Sequence, residues 1–301
     1  MKRTFAAIAQ VIAYLIAVVM VTIVVMGLTK LFVGDWESGG ARMKLFGDGF
    51  LTVLGIAITN LLAFLLLRSK AAVRGWPGLK VCLVWFAKGG ICGLFMAGLM
   101  VLLTIAFGGA TLAFEHGELA RYLRYTIPLA GCLLIAALGE EWLFRGFPLT
   151  KLAGVLGPGW ANLLMSLLFA AAHLGAAGSN VLALVNIVIG SAVAGSLRFT
   201  PGGISTAWGF HFAWNCTQVL AGAGLSVEGL DVPGVAFSQS GPEMVSGGAF
   251  GPEAGIGATL STLLVLLFLF GFFRRRGMAD LPLPLRMKNG SRQGRPGWTV
   301  S

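Results

Sequence analysis

The chain has 301 residues, of which 56% are hydrophobic and only 11% are charged, and its formal net charge is +10. Soluble globular proteins carry about 25% charged residues. The composition therefore excludes an ordinary soluble fold and indicates a membrane protein.

The apolar runs of the chain predict its helices. A helix needs about 20 apolar residues to cross the ~30 Å hydrocarbon core of a bilayer. We therefore predict an all-α, polytopic membrane protein with about eight transmembrane helices. The predicted segments are 5–28, 49–67, 82–107, 126–147, 158–177, 181–199, 204–222 and 255–273. The first is too long for a signal-peptide core and lacks a cleavage pattern, so we expect it to stay uncleaved.

The distribution of basic residues predicts the orientation. If the N-terminus is inside, the inner segments hold 16 of the 22 Lys and Arg residues and the outer loops hold 5. The positive-inside rule then places both termini in the cytoplasm. We expect a multi-pass protein of the cell membrane, and the short loops are compatible with a bacterial inner membrane.

Two segments lie outside the predicted helices and differ from them in composition and charge. The outer loop 223–254 is Gly-rich and has acidic but no basic residues. It is interpreted as a mobile loop or as a lid. We assign 1–276 to the transmembrane domain and 277–301 to a basic, disordered cytoplasmic tail that contacts anionic lipids. No nucleic-acid motif accompanies this charge, so we do not expect nucleic-acid binding.

The fourth predicted helix contains two adjacent acids, Glu140 and Glu141. An ionised acid at the centre of a membrane helix costs about 2.5–3.5 kcal/mol, so such acids usually have a function. Glu141 and Arg145 are four residues apart, which places them on one helical face where they can pair. Glu140 points about 100° away and is free for another role. A purely structural ion pair would leave this second acid unexplained.

The next predicted helices carry three further polar residues. His173 follows Phe169 by four residues, and Asn215 follows His211 by four. A histidine in an apolar helix is often a hydrogen-bonding tie between helices. At 1.5 Å per residue, Glu140 and His211 both lie about 10 Å from the cytoplasmic side. By the same rise His173 lies about 20 Å from the cytoplasmic side. This geometry permits a common site without requiring one.

The three motifs, in this order, resemble those of the CAAX-processing and bacteriocin-immunity (CPBP, Abi) family of intramembrane proteases, which includes the type II CAAX prenyl endopeptidases. The resemblance covers about 127–220. It implies an α-helical membrane enzyme with an intramembrane active site that cleaves peptide bonds of membrane-associated proteins or peptides. Its site residues here would be Glu140, Glu141, Arg145, His173, His211 and Asn215.

The resemblance also implies roles for these residues. Peptide hydrolysis needs a base for water and donors for the oxyanion. Glu140 would be the base, with the water held by His173. His211 and Asn215 would face the scissile carbonyl oxygen. Glu141 and Arg145 would brace the site or contact a substrate carboxylate.

The cofactor and the class of protein have alternatives. Glutamate with two histidines is also a zinc-binding set, so Glu140, His173 and His211 could hold Zn²⁺, and a metal-free mechanism is the equal alternative. Instead of a protease, the protein could be a non-catalytic scaffold or a bacteriocin-immunity protein. A proton-coupled transporter is the other alternative, although no inverted repeat is evident.

Overall fold

The computed structural model describes residues 2–67, 76–115, 117–223 and 232–276, which are mostly helical. Ten α-helices and two short strands follow one another along these segments. They are α1 (Lys2–Phe32), α2 (Ala41–Leu67), α3 (Leu79–Ala106), β1 (Ala110–Phe114), α4 (Leu119–Arg145), α5 (Phe147–Leu156), α6 (Pro158–Ala171), α7 (Val181–Leu197), α8 (Ile204–Leu220), β2 (Val235–Gln239), α9 (Glu243–Ser246) and α10 (Ile256–Arg276). Three 3₁₀ helices cover Trp36–Gly39, Gly248–Phe250 and Pro252–Ala254.

A helix overlaps each of the eight predicted segments, but the helices differ in length and several begin or end outside the predicted bounds. Four stretches are long and apolar enough to cross a membrane: Lys2–Phe32, Arg42–Leu65, Leu79–Ala106 and Leu119–Leu156. Pro158–Ala171, Val181–Leu197 and Ile256–Gly271 are apolar but shorter. The fold is that of a multi-pass, helical membrane protein, and the count of eight spans stays a prediction.

The fifth predicted helix, 158–177, is shorter than expected. It begins at Pro158, after Gly157 adopts a φ of +81°, and it already ends at Ala171. His173 therefore lies just beyond α6 and not within a helix. The sequence analysis also missed α5 as a separate helix, which follows a break at Gly146 and has a proline in its first turn.

The outer loop 223–254 is more ordered than expected in the part that the structure describes. Strand β2 pairs antiparallel with β1, from Ala110 opposite Gln239 to Phe114 opposite Val235. This small sheet is an exception to the all-α prediction. The pairing places the α3–α4 and α8–α10 connections on one side of the helices. The predicted order of eight segments requires the same arrangement.

Helices α3 and α8 lie in close contact, and two glycines make this possible. A Cβ atom at Gly89 would overlap the carbonyl of Thr206, and one at Gly93 would overlap the carbonyl of Phe210. Only residues without side chains permit such an approach between helix backbones. The contact fixes the position of α8, which bears His211 and Asn215.

Two features of the chain remain, the cysteines and the C-terminal tail. Cys132 and Cys216 are buried, whereas Cys82 and Cys92 are only half-buried. The predicted disordered tail, 277–301, lies outside the described residues.

Candidate active site

The centre of the site is a buried ion pair. Arg145 Nη1 donates to Glu141 Oε1 at 2.9 Å, and the two side chains are 1% and 0% exposed. The second terminal nitrogen of Arg145 donates to Ser191 Oγ at 2.7 Å and to the Ser191 carbonyl oxygen at 3.2 Å. The pair expected from the i, i+4 spacing is present, and α7 supplies a partner that the spacing could not predict.

His211 lies between the two adjacent acids. Its Nδ1 is 2.9 Å from Glu141 Oε1, and its Nε2 is 3.8 Å from Glu140 Oε2. Because a carboxylate without a proton can only accept hydrogen bonds, Nδ1 is assigned as the donor to Glu141. Nε2 faces Glu140, as an acceptor in the neutral ring or as a second donor in the imidazolium. One acid orients the imidazole and the other faces its reactive nitrogen.

A tryptophan on α8 contributes to the register of this helix against α4. The indole nitrogen of Trp208 donates to the Leu134 carbonyl oxygen at 2.8 Å. Trp208 precedes His211 by three residues, so this bond lies within one helical turn of the imidazole. Together with the glycine contacts of α3, it positions His211 beside the two acids.

His173 is held by its own chain just after α6. Its Nδ1 is 2.8 Å from the Phe169 carbonyl oxygen, and since a carbonyl only accepts, this nitrogen carries the proton. The Nε2 of His173 is therefore an acceptor in the neutral ring. The Phe169 ring centroid lies 4.8 Å from that of His173 and 6.1 Å from that of His211. The Phe169 ring thus packs against both imidazoles.

A cavity of about 210 Å³ brings all six predicted site residues together. Its walls include Glu140, Glu141, Arg145, His173, His211 and Asn215. The Glu140 side chain is 41% exposed, whereas Glu141 is fully buried. The two acids therefore differ as the sequence analysis expected, with Glu140 open to the cavity and Glu141 inside the protein.

Asn215 lies one turn beyond His211 on the cavity wall. Within the described part of the chain, its side chain makes no hydrogen bond to protein, unlike the neighbouring Trp214 and Gln218, which both donate to Glu253. An amide that faces a cavity with free N–H groups can donate to a bound carbonyl or oxyanion.

Three polar contributions were missed by sequence reasoning. Ser191 binds Arg145, Asn186 lines the cavity, and Glu253 reaches the same wall from the outer loop. Ser191 and Asn186 could not be recognised as site residues from the sequence, since single polar residues in apolar helices often only form hydrogen bonds between helices. Glu253 was one of several acids in the loop, and only its contacts distinguish it.

The proposed metal ligands do not form a compact centre in this arrangement. Among the residues that the structure describes, no group of three His, Cys, Asp or Glu side chains is placed to hold a metal ion. The donor atoms suit zinc chemically, because both imidazoles present Nε2, but a zinc site needs at least three such ligands around one point. The zinc alternative stays a prediction.

The fold and site define a multi-pass helical membrane protein with an enclosed carboxylate–histidine site. Residues 123–217, about a third of the chain, match the family model described as "Rce1-like: Type II CAAX prenyl endopeptidase Rce1-like". The match confirms the recognised resemblance to the CAAX protease family, a family of peptidases, and it includes all six site residues. Comparisons with curated proteins and with solved structures gave no match.

Proposed function

We propose that the protein is an intramembrane endopeptidase that hydrolyses peptide bonds of membrane-associated proteins or peptides. The observation that supports this most directly is the position of His211, bonded to Glu141 on one side and facing Glu140 across the cavity on the other. The match of residues 123–217 to a peptidase family supports the same reaction class.

In this mechanism Glu140 is the general base. Of the two adjacent acids it is the one whose carboxylate is accessible from the cavity, so it can reach a bound water. The water oxygen attacks the carbonyl carbon of the substrate while its proton moves to Glu140. Glu140 then returns this proton to the leaving nitrogen as the C–N bond breaks. His173, through the lone pair of Nε2, accepts a hydrogen bond from the same water and orients it.

The oxyanion is stabilised by donors on α8. Asn215 offers its amide N–H groups toward the cavity. His211 can donate through Nε2 only as the imidazolium, because Nδ1 already carries the proton that binds Glu141. The proposed oxyanion role of His211 therefore requires the doubly protonated ring, whereas Asn215 can donate in any protonation state.

Glu141 and Arg145 act as positioning residues. Glu141 fixes the orientation of His211, and Arg145 compensates the buried charge of Glu141. The alternative, in which Arg145 reads a substrate carboxylate, is not supported by its surroundings. The guanidinium is 1% exposed and already bonded to Glu141 and Ser191.

The cellular setting follows from the membrane helices and the charge distribution. We propose that both termini lie in the cytoplasm, that the protein is embedded in a bacterial inner membrane and that the basic C-terminal residues contact anionic lipids. The substrate would be a protein or peptide that reaches the cavity from the bilayer or its surface.

The test is a comparison of membrane proteomes from cells with the wild-type protein and with Glu140→Gln. This change is nearly isosteric and removes the base. We expect precursors to accumulate in the variant, and the matching new N-termini to be absent. Glu243→Gln, an exposed acid away from the cavity, is the matched control and should resemble wild type. Wild-type function with Glu140→Gln would instead indicate a scaffold or an immunity protein.

The metal alternative is tested on the purified protein. A metal-free glutamate mechanism predicts that cleavage survives dialysis against a chelator and that less than one metal ion per chain is retained. Loss of cleavage on chelation, with recovery on adding Zn²⁺, would assign the metal to Glu140, His173 and His211.

A further inference from the structure

A third acid, Glu253, lies on the wall of the catalytic cavity and comes from the outer loop. It belongs to the 3₁₀ helix Pro252–Ala254, which follows the β-sheet and α9 along the chain. The family match ends at residue 217, so Glu253 lies outside the matched segment.

Three side chains on two helices hold Glu253 in place. Its Oε1 accepts hydrogen bonds from the Trp214 indole nitrogen and, at 2.9 Å, from Gln218 Nε2. Its backbone carbonyl accepts from Asn186 Nδ2 at 2.8 Å. Both bonds to the carboxylate use the same oxygen. Within the described part of the chain, Oε2 makes no protein hydrogen bond, so it remains available to a ligand in the cavity.

The cavity wall carries an excess of negative charge. Glu140 and Glu253 both line it, whereas Arg145, the arginine among the wall residues that the structure describes, is already paired with Glu141. A charge in a site of low dielectric interacts strongly with the charges of a bound ligand. A substrate group with a negative charge, such as a free C-terminal carboxylate, would be repelled, and a cation would be attracted.

The rise of α8 gives the distance of this charge from the reaction centre. Trp214 and Gln218 follow His211 by three and seven residues, which corresponds to about 5–10 Å along the helix axis. An extended peptide advances about 3.3 Å per residue. The carboxylate of Glu253 therefore lies about two or three residues from the bond that is cleaved.

Resting on the proposed endopeptidase function, we infer that Glu253 is a specificity-determining residue that binds a basic side chain, Lys or Arg, within about three residues of the cleaved bond. The substrate class is thus a membrane-associated peptide with a positive charge beside the cleavage site. A peptide that presents a free carboxylate at this position is disfavoured.

The first experiment measures cleavage by the full-length protein in liposomes. The probes are N-terminally acylated decapeptides that are identical except for Lys, norleucine or Glu at each position around the cut. We expect the Lys peptides to be cleaved about tenfold better than the norleucine peptides, in kcat/KM, at a position near the cut. Glu253→Gln, which keeps an acceptor oxygen for Trp214 and Gln218, should abolish this preference, so that Lys and norleucine peptides are cleaved with equal kcat/KM. Glu243→Gln should keep it.

The second experiment separates this inference from the proposed function. Binding of the Lys and norleucine peptides is measured by fluorescence anisotropy on Glu140→Gln and on Glu140→Gln/Glu253→Gln, neither of which can use Glu140 as a base. Tighter binding of the Lys peptide that depends on Glu253 supports the cation site, even if the wild-type protein cleaves no peptide. In that case only the peptidase proposal fails. Cleavage or binding with no preference for Lys, or with a preference that survives Glu253→Gln, overturns the inference.

Discussion

Arg145 and Glu141 form a buried ion pair at 2.9 Å in which the arginine has two further hydrogen bonds to Ser191. Breaking a buried pair by removing one partner costs about 3–5 kcal/mol, because the other charge is left uncompensated. We therefore expect Arg145→Ala to lower the thermal stability of the protein in detergent, as measured by a thermal-shift assay.

The double variant gives the control for this pair. Glu141→Gln combined with Arg145→Ala removes both charges, so it should recover part of the stability lost in Arg145→Ala. A stable Arg145→Ala variant with a raised KM, and no coupling in the double variant, would contradict the positioning role and favour substrate binding by Arg145.

Gly93 permits the close approach of α3 to the helix that bears the catalytic candidates. A Cβ atom there would lie within 3.1 Å of the Phe210 Cα and closer still to its carbonyl group, and Phe210 directly precedes His211. Overpacking of this kind costs about 1–3 kcal/mol. Gly93→Ala should lower both the thermal stability and the cleavage rate.

Gly98 is the matched control on the same helix, because a Cβ atom there meets nothing within 4 Å. Gly98→Ala should leave activity unchanged, and its stability should be equal or slightly higher, since glycine is a poorer helix former than alanine. Equal effects of the two substitutions would show that the helix contact does not position His211.

Asn215 is proposed to donate to the oxyanion through an amide that has no other partner in the described structure. Loss of one oxyanion donor typically lowers kcat by about 10²–10³-fold. We expect Asn215→Ala to lower kcat by this amount, with little change in KM or in thermal stability. Asn215→Asp should be equally impaired, because it replaces a donor by an acceptor. An unchanged kcat in Asn215→Ala would remove this role.

The predicted orientation is tested by reporter fusions. Fusions after Arg74 and after Ser301 should report the cytoplasm, and one after Glu243 should report the exterior. The basic asymmetry of the sequence gives this direction, and the β1–β2 pairing agrees in placing two of the connections on one side. An exterior C-terminus would contradict the order of eight spans.

Part of the site could be predicted from sequence because a helix fixes the relative positions of nearby residues. The i, i+4 spacing of Glu141 and Arg145 gave their ion pair, and the 100° turn between adjacent residues separated Glu140 from Glu141. The position of His173 could not be predicted in this way. The sequence analysis places His173 by counting residues along a helix, but α6 ends at Ala171, two residues before His173.

The sequence by itself therefore determined the membrane class, most of the helical segments and a set of candidate site residues. Composition and short-range periodicity are sufficient for the first two, and the candidate residues came from the resemblance of three motifs to a known family. Only the tertiary structure decided that His211 lies between Glu140 and Glu141, that Ser191 completes the environment of Arg145 and that Glu253 reaches the cavity. These contacts join residues far apart in the chain, and they depend on how closely the helices and the outer loop pack, which no local pattern encodes.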